Sequence, residues 1–167
     1  MIPAWVKLPH GGGFQSPDTI VIHAMAEYIV ADDASARKYG APAGVYHALR
    51  WLDLCKLSAH ALICPNGAII RTRQDDQMAW HARGHNRDTL GIEYLVPGKH
   101  DYGTFLAAMK GDYLPPPAYT AGLDMIREWI DAYSIESITT HEKLDPDRKH
   151  DPGAGFPLDQ LLDDIGV

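Results

Sequence analysis

Residues 19 to 23 read Thr-Ile-Val-Ile-His, TIVIH. Four β-branched residues in a row make a poor helix and a good strand, and the unbroken apolar run suits a strand buried on both faces. The expectation is a core strand that ends on His23. The stretch before it, HGGGFQSPD from His10 to Asp18, reads as a loop on its glycines and proline. After it, ADDASARKYGAPAG from Ala31 to Gly44 is punctuated by Gly and Pro and reads as irregular. Val45, Leu49 and Leu52 then fall on a helical spacing, which predicts a helix over Val45 to Leu54.

Further along, SAHALIC (Ser58 to Cys64) and AIIRTR (Ala68 to Arg73) flank Pro65-Asn66-Gly67. Asn-Gly is a tight-hairpin signal, so these segments are expected to be paired strands. TLGIEYL (Thr89 to Leu95) is a third strand, with Glu93 inside it. The segment from Val96 to Pro117 is long for a loop and reads as an insertion near a site. Thr120 is placed as a helix N-cap, followed by Leu123, Ile126, Trp129, Ile130 and Tyr133 on one face. Ser137 to Thr140 forms a short strand leading to His141, and Pro157-Leu158 opens a last short helix. Strands and helices alternate without a regular rhythm. This predicts an α/β fold, a central mixed β-sheet flanked by α-helices, with residues 1–167 as a single domain.

The composition excludes several classes. Hydrophobic residues make up 46% and charged residues 22%, which sets disorder aside. A formal charge of -7 argues against nucleic acid as a partner and gives no basic patch for an anionic membrane. No stretch approaches the roughly 20 apolar residues that span a bilayer, so no membrane insertion is expected. The N-terminal residues, MIPAWVKLPHGGGF, do not read as a secretory signal, and synthesis in a bacterial cytoplasm is the expectation. Cys55 and Cys64 read as reduced thiols, with no C-x-x-C to suggest a cysteine-rich zinc site.

Nine histidines is a high count for 167 residues. His10, His47, His100 and His150 read as ordinary loop or helix-surface residues. His23 and His141 are different, because each closes a short β-branched run and so stands at a strand end. Downstream of His141 the chain reads HEKLDPDRKHDPG, in which prolines and Gly153 bend the loop so that Asp151 can fold back toward His141. Two neutral imidazoles and a carboxylate suit zinc and leave a fourth position open, as catalytic sites require. A hydrogen bond from His141 to Asp151 that merely staples the loop explains the same spacing. Glu93, among apolar neighbours, is either solvated on an open face or a general base whose pKa burial has raised.

Together IVIH (20 to 23), SAHALICPNGAIIRTR (58 to 73), AWHARGHNRDTLGIE (79 to 93) and HEKLDPDRKHDPG (141 to 153) resemble the type 2 N-acetylmuramoyl-L-alanine amidase family. That family includes peptidoglycan-recognition proteins, phage amidase endolysins and the cytoplasmic anhydro-muropeptide amidase of cell-wall recycling. The resemblance implies Zn2+ bound by His23, His141 and Asp151. It also implies Glu93 as the catalytic carboxylate and Lys149 as the cation beside the metal. His60, His81 and Asn86 match family positions near the cleft, His60 mainly structural, His81 and Asn86 as substrate contacts. Ala59 and Ala24 stand where many relatives carry tyrosine and a second histidine, and neither position supplies a ligand.

The implied reaction is hydrolysis of the amide between N-acetylmuramic acid and L-alanine, by a monomer acting on peptidoglycan or muropeptides. Three roles fit: a phage-type endolysin that lyses the wall, which is the preferred reading, a recycling enzyme, or a peptidoglycan-binding module without catalysis. The aspartate ligand, Ala59-His60 and the R-K-x-D-P-G stretch lean toward the recycling subgroup.

Overall fold

The computed structural model describes residues 4–29 and 47–167. The expected irregular segment from Ala31 to Gly44 and the first two residues of the expected helix, Val45 and Tyr46, lie outside the described residues. The strands, in chain order, are β1 (Ala4–Trp5), β2 (Gly11–Phe14), β3 (Thr19–Ile29), β4 (Ala61–Ile63), β5 (Ile69–Arg71), β6 (Gln77–Ala79), β7 (Thr89–His100) and β8 (Ser137–Thr140). The helices are α1 (His47–Leu54), α2 (Tyr102–Ala108), α3 (Pro116–Ala132), α4 (His141–Leu144) and α5 (Leu158–Ile165). Six strands form one sheet in the order β1-β5-β4-β7-β3-β8. The β4–β5 hairpin is antiparallel, and every other pair in this sheet is parallel. The expected mixed sheet with flanking helices is the observed architecture.

The sheet alternates its side chains by parity, as a pleated strand must. Ile20, Ile22 and Ala24 of β3 and Leu90, Ile92, Tyr94 and Val96 of β7 join one core with Leu123, Met125, Ile126 and Trp129 of α3. On the other face Leu62 of β4, Ile70 of β5 and Leu95 of β7 pack with Ala48, Leu49 and Leu52 of α1. The central strands are therefore covered on both sides, which is why TIVIH carries no polar alternation.

Several elements run further than their local signals suggest. β3 continues to Ile29, so His23 lies inside a strand and not at its end. β7 continues to His100 and α2 follows, so the expected 96–117 loop is mostly regular structure. A register shift where Pro97 and Gly98 enter β7 marks a bulge; proline has no N–H for the ladder and is tolerated there. α3 begins at Pro116, with Thr120 inside it and not capping it. Proline at the first helical position loses nothing, since that N–H has no partner in a helix. Gly11–Phe14, read as loop, pairs antiparallel with β6. The hairpin strands are shorter than expected, and the turn between them uses Gly67 at φ 82°. Asn66 contributes through its side chain, which accepts from the Ala68 N–H at 3.0 Å. His47, expected on a helix surface, is buried against the Tyr28 ring. Cys55 and Cys64 are free thiols. No helix among the described residues is long and apolar enough to cross a membrane.

Helix α3 approaches the sheet closely at Gly122, where a Cβ would overlap the ring and hydroxyl of the fully buried Tyr94. Gly→Ala inside a helix ordinarily stabilises by about 0.5–1 kcal/mol, whereas overpacking a core costs about 1–3 kcal/mol. Gly122→Ala should therefore destabilise, and adding Tyr94→Phe, which removes the obstructing hydroxyl, should recover part of the loss. Thermal unfolding of the parent and the two variants checks both signs.

Candidate active site

Three local devices bring distant residues to one place. In the parallel β3–β7 ladder His23 is the register partner of Glu93, so their side chains stand side by side on the same face of the sheet. β8 runs parallel to β3 and ends with Thr140 opposite Ile22, so His141 follows next to His23. The Thr140 hydroxyl then caps α4 by accepting from the Lys143 N–H. Beyond α4 the loop turns back. Lys149 N–H donates to the Asp145 carbonyl at 2.9 Å, and Glu142 N–H donates to the Asp151 carbonyl at 2.9 Å. Gly153 closes the return at φ 77°, where a Cβ would stand 2.8 Å from Met109.

His23 Nδ1, His141 Nδ1 and Asp151 Oδ2 form a triangle with edges of 2.9, 3.0 and 3.2 Å. Both imidazoles are buried and the carboxylate is nearly so. Tetrahedral zinc with bonds of about 2.0–2.1 Å holds its ligands roughly 3.3–3.4 Å apart. The triangle needs only a small expansion to match. Two ring nitrogens and a carboxylate oxygen meet here with no protein cation among them, so a metal ion would satisfy all three lone pairs together. This is also the one group of three or more metal-capable side chains found among the described residues.

Burial pushes His23 below its ordinary pKa, against the pull of Asp151. Burial pushes the Asp151 carboxyl upward, but its interactions with the neighbouring His141 and His23 rings overrule it and hold the group below the usual carboxylate range. His23 is thus biased toward the neutral imidazole and Asp151 toward the anionic carboxylate, the forms that ligate metal. Glu93 is buried, and its Oε2 has no hydrogen-bond partner. Desolvation and the Asp151 charge push its pKa up to about 8, with Lys149 pulling the other way.

A cleft of about 530 Å³ opens over these groups. His81, Glu93, His141, Lys149 and Asp151 line its polar end, and Met25, Trp51, Leu57, Trp80, Tyr102 and Phe105 line the rest. Five of the eight expected site residues therefore share the cleft wall, and His23 joins them through the triangle. His60 and Asn86 do not line it. The Gly91 N–H donates to His60 Nδ1 at 2.9 Å, so His60 Nε2 carries the proton and donates to the Gln77 carbonyl at 3.0 Å. Burial holds His60 down at about 3. Both its nitrogens are committed to backbone. Asn86 Oδ1 accepts from the N–H groups of His81 and Ala82 at 2.9 and 2.8 Å, pinning the turn that carries His81. His100 and His150, read from sequence as ordinary, border the cleft instead. So does Trp80, whose position beside His81 is the only local hint of its place.

The sequence profile of one family, described as N-acetylmuramoyl-L-alanine amidase, matches residues 13–154. This chain belongs to that family. The matched span includes His23, Glu93, His141, Lys149 and Asp151. The fold is shared with solved members and relatives. The amidase LysC from Clostridium intestinale URNW superposes with TM-score 0.67 at 18% identity, covering 100% of this chain and 99% of that one. AmpD, solved as a selenomethionine derivative, gives TM-score 0.67 at 22% identity, covering 97% and 93%. The Drosophila peptidoglycan recognition protein SD gives TM-score 0.57 at 18% identity, covering 89% and 83%. No curated protein sequence matches the chain. Family membership supports amidase activity on peptidoglycan.

The buried Glu93 has a consequence for stability. Between its ordinary pKa near 4.5 and the folded value of about 8, the folded protein keeps a proton that the unfolded chain has released. Folding stability of the metal-free protein should therefore fall as pH rises through that window, by at most about 5 kcal/mol from this group. Glu93→Gln keeps the shape and cannot ionise, so its stability should gain on the parent between pH 5 and pH 8. Urea denaturation in excess chelator across this range tests the sign, and a difference independent of pH would contradict it.

Proposed function

We propose that residues 1–167 form one zinc-dependent catalytic domain that hydrolyses the amide between N-acetylmuramic acid and L-alanine. The observation that carries this is the His23–His141–Asp151 triangle set beside a buried, unpaired Glu93 at the polar end of the cleft. His23, His141 and Asp151 would hold the ion, which supplies Lewis acidity for the amide carbonyl and acidifies water. Glu93 accepts the proton of the attacking water at its free Oε2 and returns it to the departing L-alanine amine. Its desolvated surroundings keep its proton affinity near what a group that both takes and gives a proton at neutral pH requires. Lys149, on the same wall, provides positive charge for the oxyanion of the tetrahedral intermediate. The other carboxylates on the cleft wall are engaged elsewhere, Asp151 in the triangle and Asp101 in capping α2, so neither is free to serve as the second carboxylate that a glycosidase would need.

The role we prefer is lytic, acting on the intact wall as an endolysin does. Trp80, Leu57 and Tyr102 are 41%, 40% and 65% exposed along the cleft, and an open aromatic wall suits sugar rings of a polymer that continues past the site. Faster turnover on intact sacculi than on soluble anhydro-muropeptide supports the lytic role. The reverse order supports recycling, and zinc binding without amine release supports a recognition module.

Chelation should abolish activity and zinc should restore it, with one zinc per chain by elemental analysis. His141→Ala should lose that zinc. With the metal in place, Glu93→Gln should lower turnover by about 10²–10⁴-fold, and Lys149→Met by about 10²–10³-fold, in kcat more than KM. Wild-type turnover in zinc-loaded Glu93→Gln would remove Glu93 from the mechanism. Mass spectrometry of the digest should show new L-alanine amino termini on otherwise intact stem peptides.

A further inference from the structure

His81 borders the cleft, yet neither of its ring nitrogens is free for a substrate. Its Nδ1 is 2.8 Å from His23 Nε2, and its Nε2 is 3.0 Å from the Thr89 hydroxyl oxygen. The direction of these bonds follows from the far end. Thr89 Oγ1 donates to the His85 carbonyl at 2.8 Å, and a carbonyl can only accept. The single hydroxyl proton is thereby used, so Thr89 accepts from His81. His81 then carries its proton on Nε2 and presents a bare Nδ1. His23 must donate to that Nδ1 from Nε2, which leaves His23 Nδ1 without a proton, facing His141 and Asp151.

The backbone is shaped for this chain of bonds. A Cβ at Gly91 would stand 2.6 to 2.8 Å from three atoms of the His81 ring. Glycine at this point of β7 is what allows the imidazole to lie against the strand. The Asn86 side chain holds the His81 and Ala82 N–H groups from the other side. His81 and His23 stand nearly perpendicular, with ring centroids 5.0 Å apart, so the His23 ring is held in angle as well as in tautomer.

We infer that His81, seated on Gly91 and oriented by Thr89, is a positioning residue that turns the His23 Nδ1 lone pair toward the metal site. The backbone carbonyl of His85 thus sets the tautomer of a ligand through two intervening side chains. Partners behind a ligating histidine fix its ring and its basicity, and their loss typically weakens metal binding by about 10–100-fold. This inference rests on the reading of His23 as a zinc ligand.

Zinc affinity, measured by chelator competition, separates the two ideas. Thr89→Val is close in shape and lacks the hydroxyl; it should bind zinc about 10–100-fold more weakly while still folding. Thr89→Ser restores the hydroxyl and should return affinity to within about 3-fold of the parent. Imidazole nitrogen NMR of the zinc-loaded parent should show His81 protonated at Nε2 and bare at Nδ1. Gly91→Ala, which displaces the ring, should act in the same direction as Thr89→Val. A proton on His81 Nδ1, or parental zinc affinity in Thr89→Val, overturns the positioning role. His23→Ala is the control: unchanged zinc affinity there overturns the ligand reading itself, whereas lost affinity there with none lost in Thr89→Val overturns only the positioning role.

Discussion

The site depends on the parallel register of β3 against β7, in which His23 faces Glu93. Side chains alternate with period two, so a slip of one residue would send either group into the opposite core. That slip is opposed by ten consecutive or near-consecutive register pairs from Thr19↔Thr89 to Ile29↔His100. It is also opposed by the even-numbered aliphatics of both strands, which are locked under α3. The apolar face thus holds the polar residues of the other face in place.

That opposite face is expensive to build. His23, His60, His81, Glu93 and His141 are all buried, and each would be costly if left unpaired. Three different solutions are visible. His60 commits both nitrogens to backbone and serves the strand connections around it. His23, His141 and Asp151 face one another in a set that a metal ion would complete. Glu93 keeps an unpaired buried carboxylate oxygen, and burial holds its proton affinity high. A group kept in that state is a poor contributor to stability and a suitable proton carrier, the usual trade at a reactive centre.

Glycine marks the places where backbone and ring must come close. Gly91 admits the His81 ring, Gly122 admits Tyr94, and Gly153 lets the ligand loop return past Met109. The first and third lie next to the site, and the second holds α3 against the sheet beneath it. The cleft is therefore framed by close approaches that no larger residue permits, and its geometry belongs to the fold more than to surface loops.

Local sequence was sufficient for the elements whose cause is local. TIVIH could only be a buried strand, Asn66-Gly67 could only be a turn, and the spacing from Leu123 to Trp129 could only be one face of a helix. His23, His141 and Asp151 were singled out together by the family resemblance; the spacing of His141 and Asp151 by itself fitted a loop-stapling hydrogen bond equally well. Element ends were not legible: β3 runs past His23 and β7 past Leu95 because each strand is extended by the ladder of the other, a nonlocal cause. α3 starts four residues before Thr120 because proline, which stops a helix from within, is at home at its start. Nothing in the sequence places Thr89, eight residues from His81 and of a different type, behind the same imidazole. Nor does the sequence say that His60 and Asn86 face backbone while His81 faces His23. Those assignments depend on which strand lies beside which and at what register, and pairing across the sheet is decided by tertiary packing, not by neighbours in the chain.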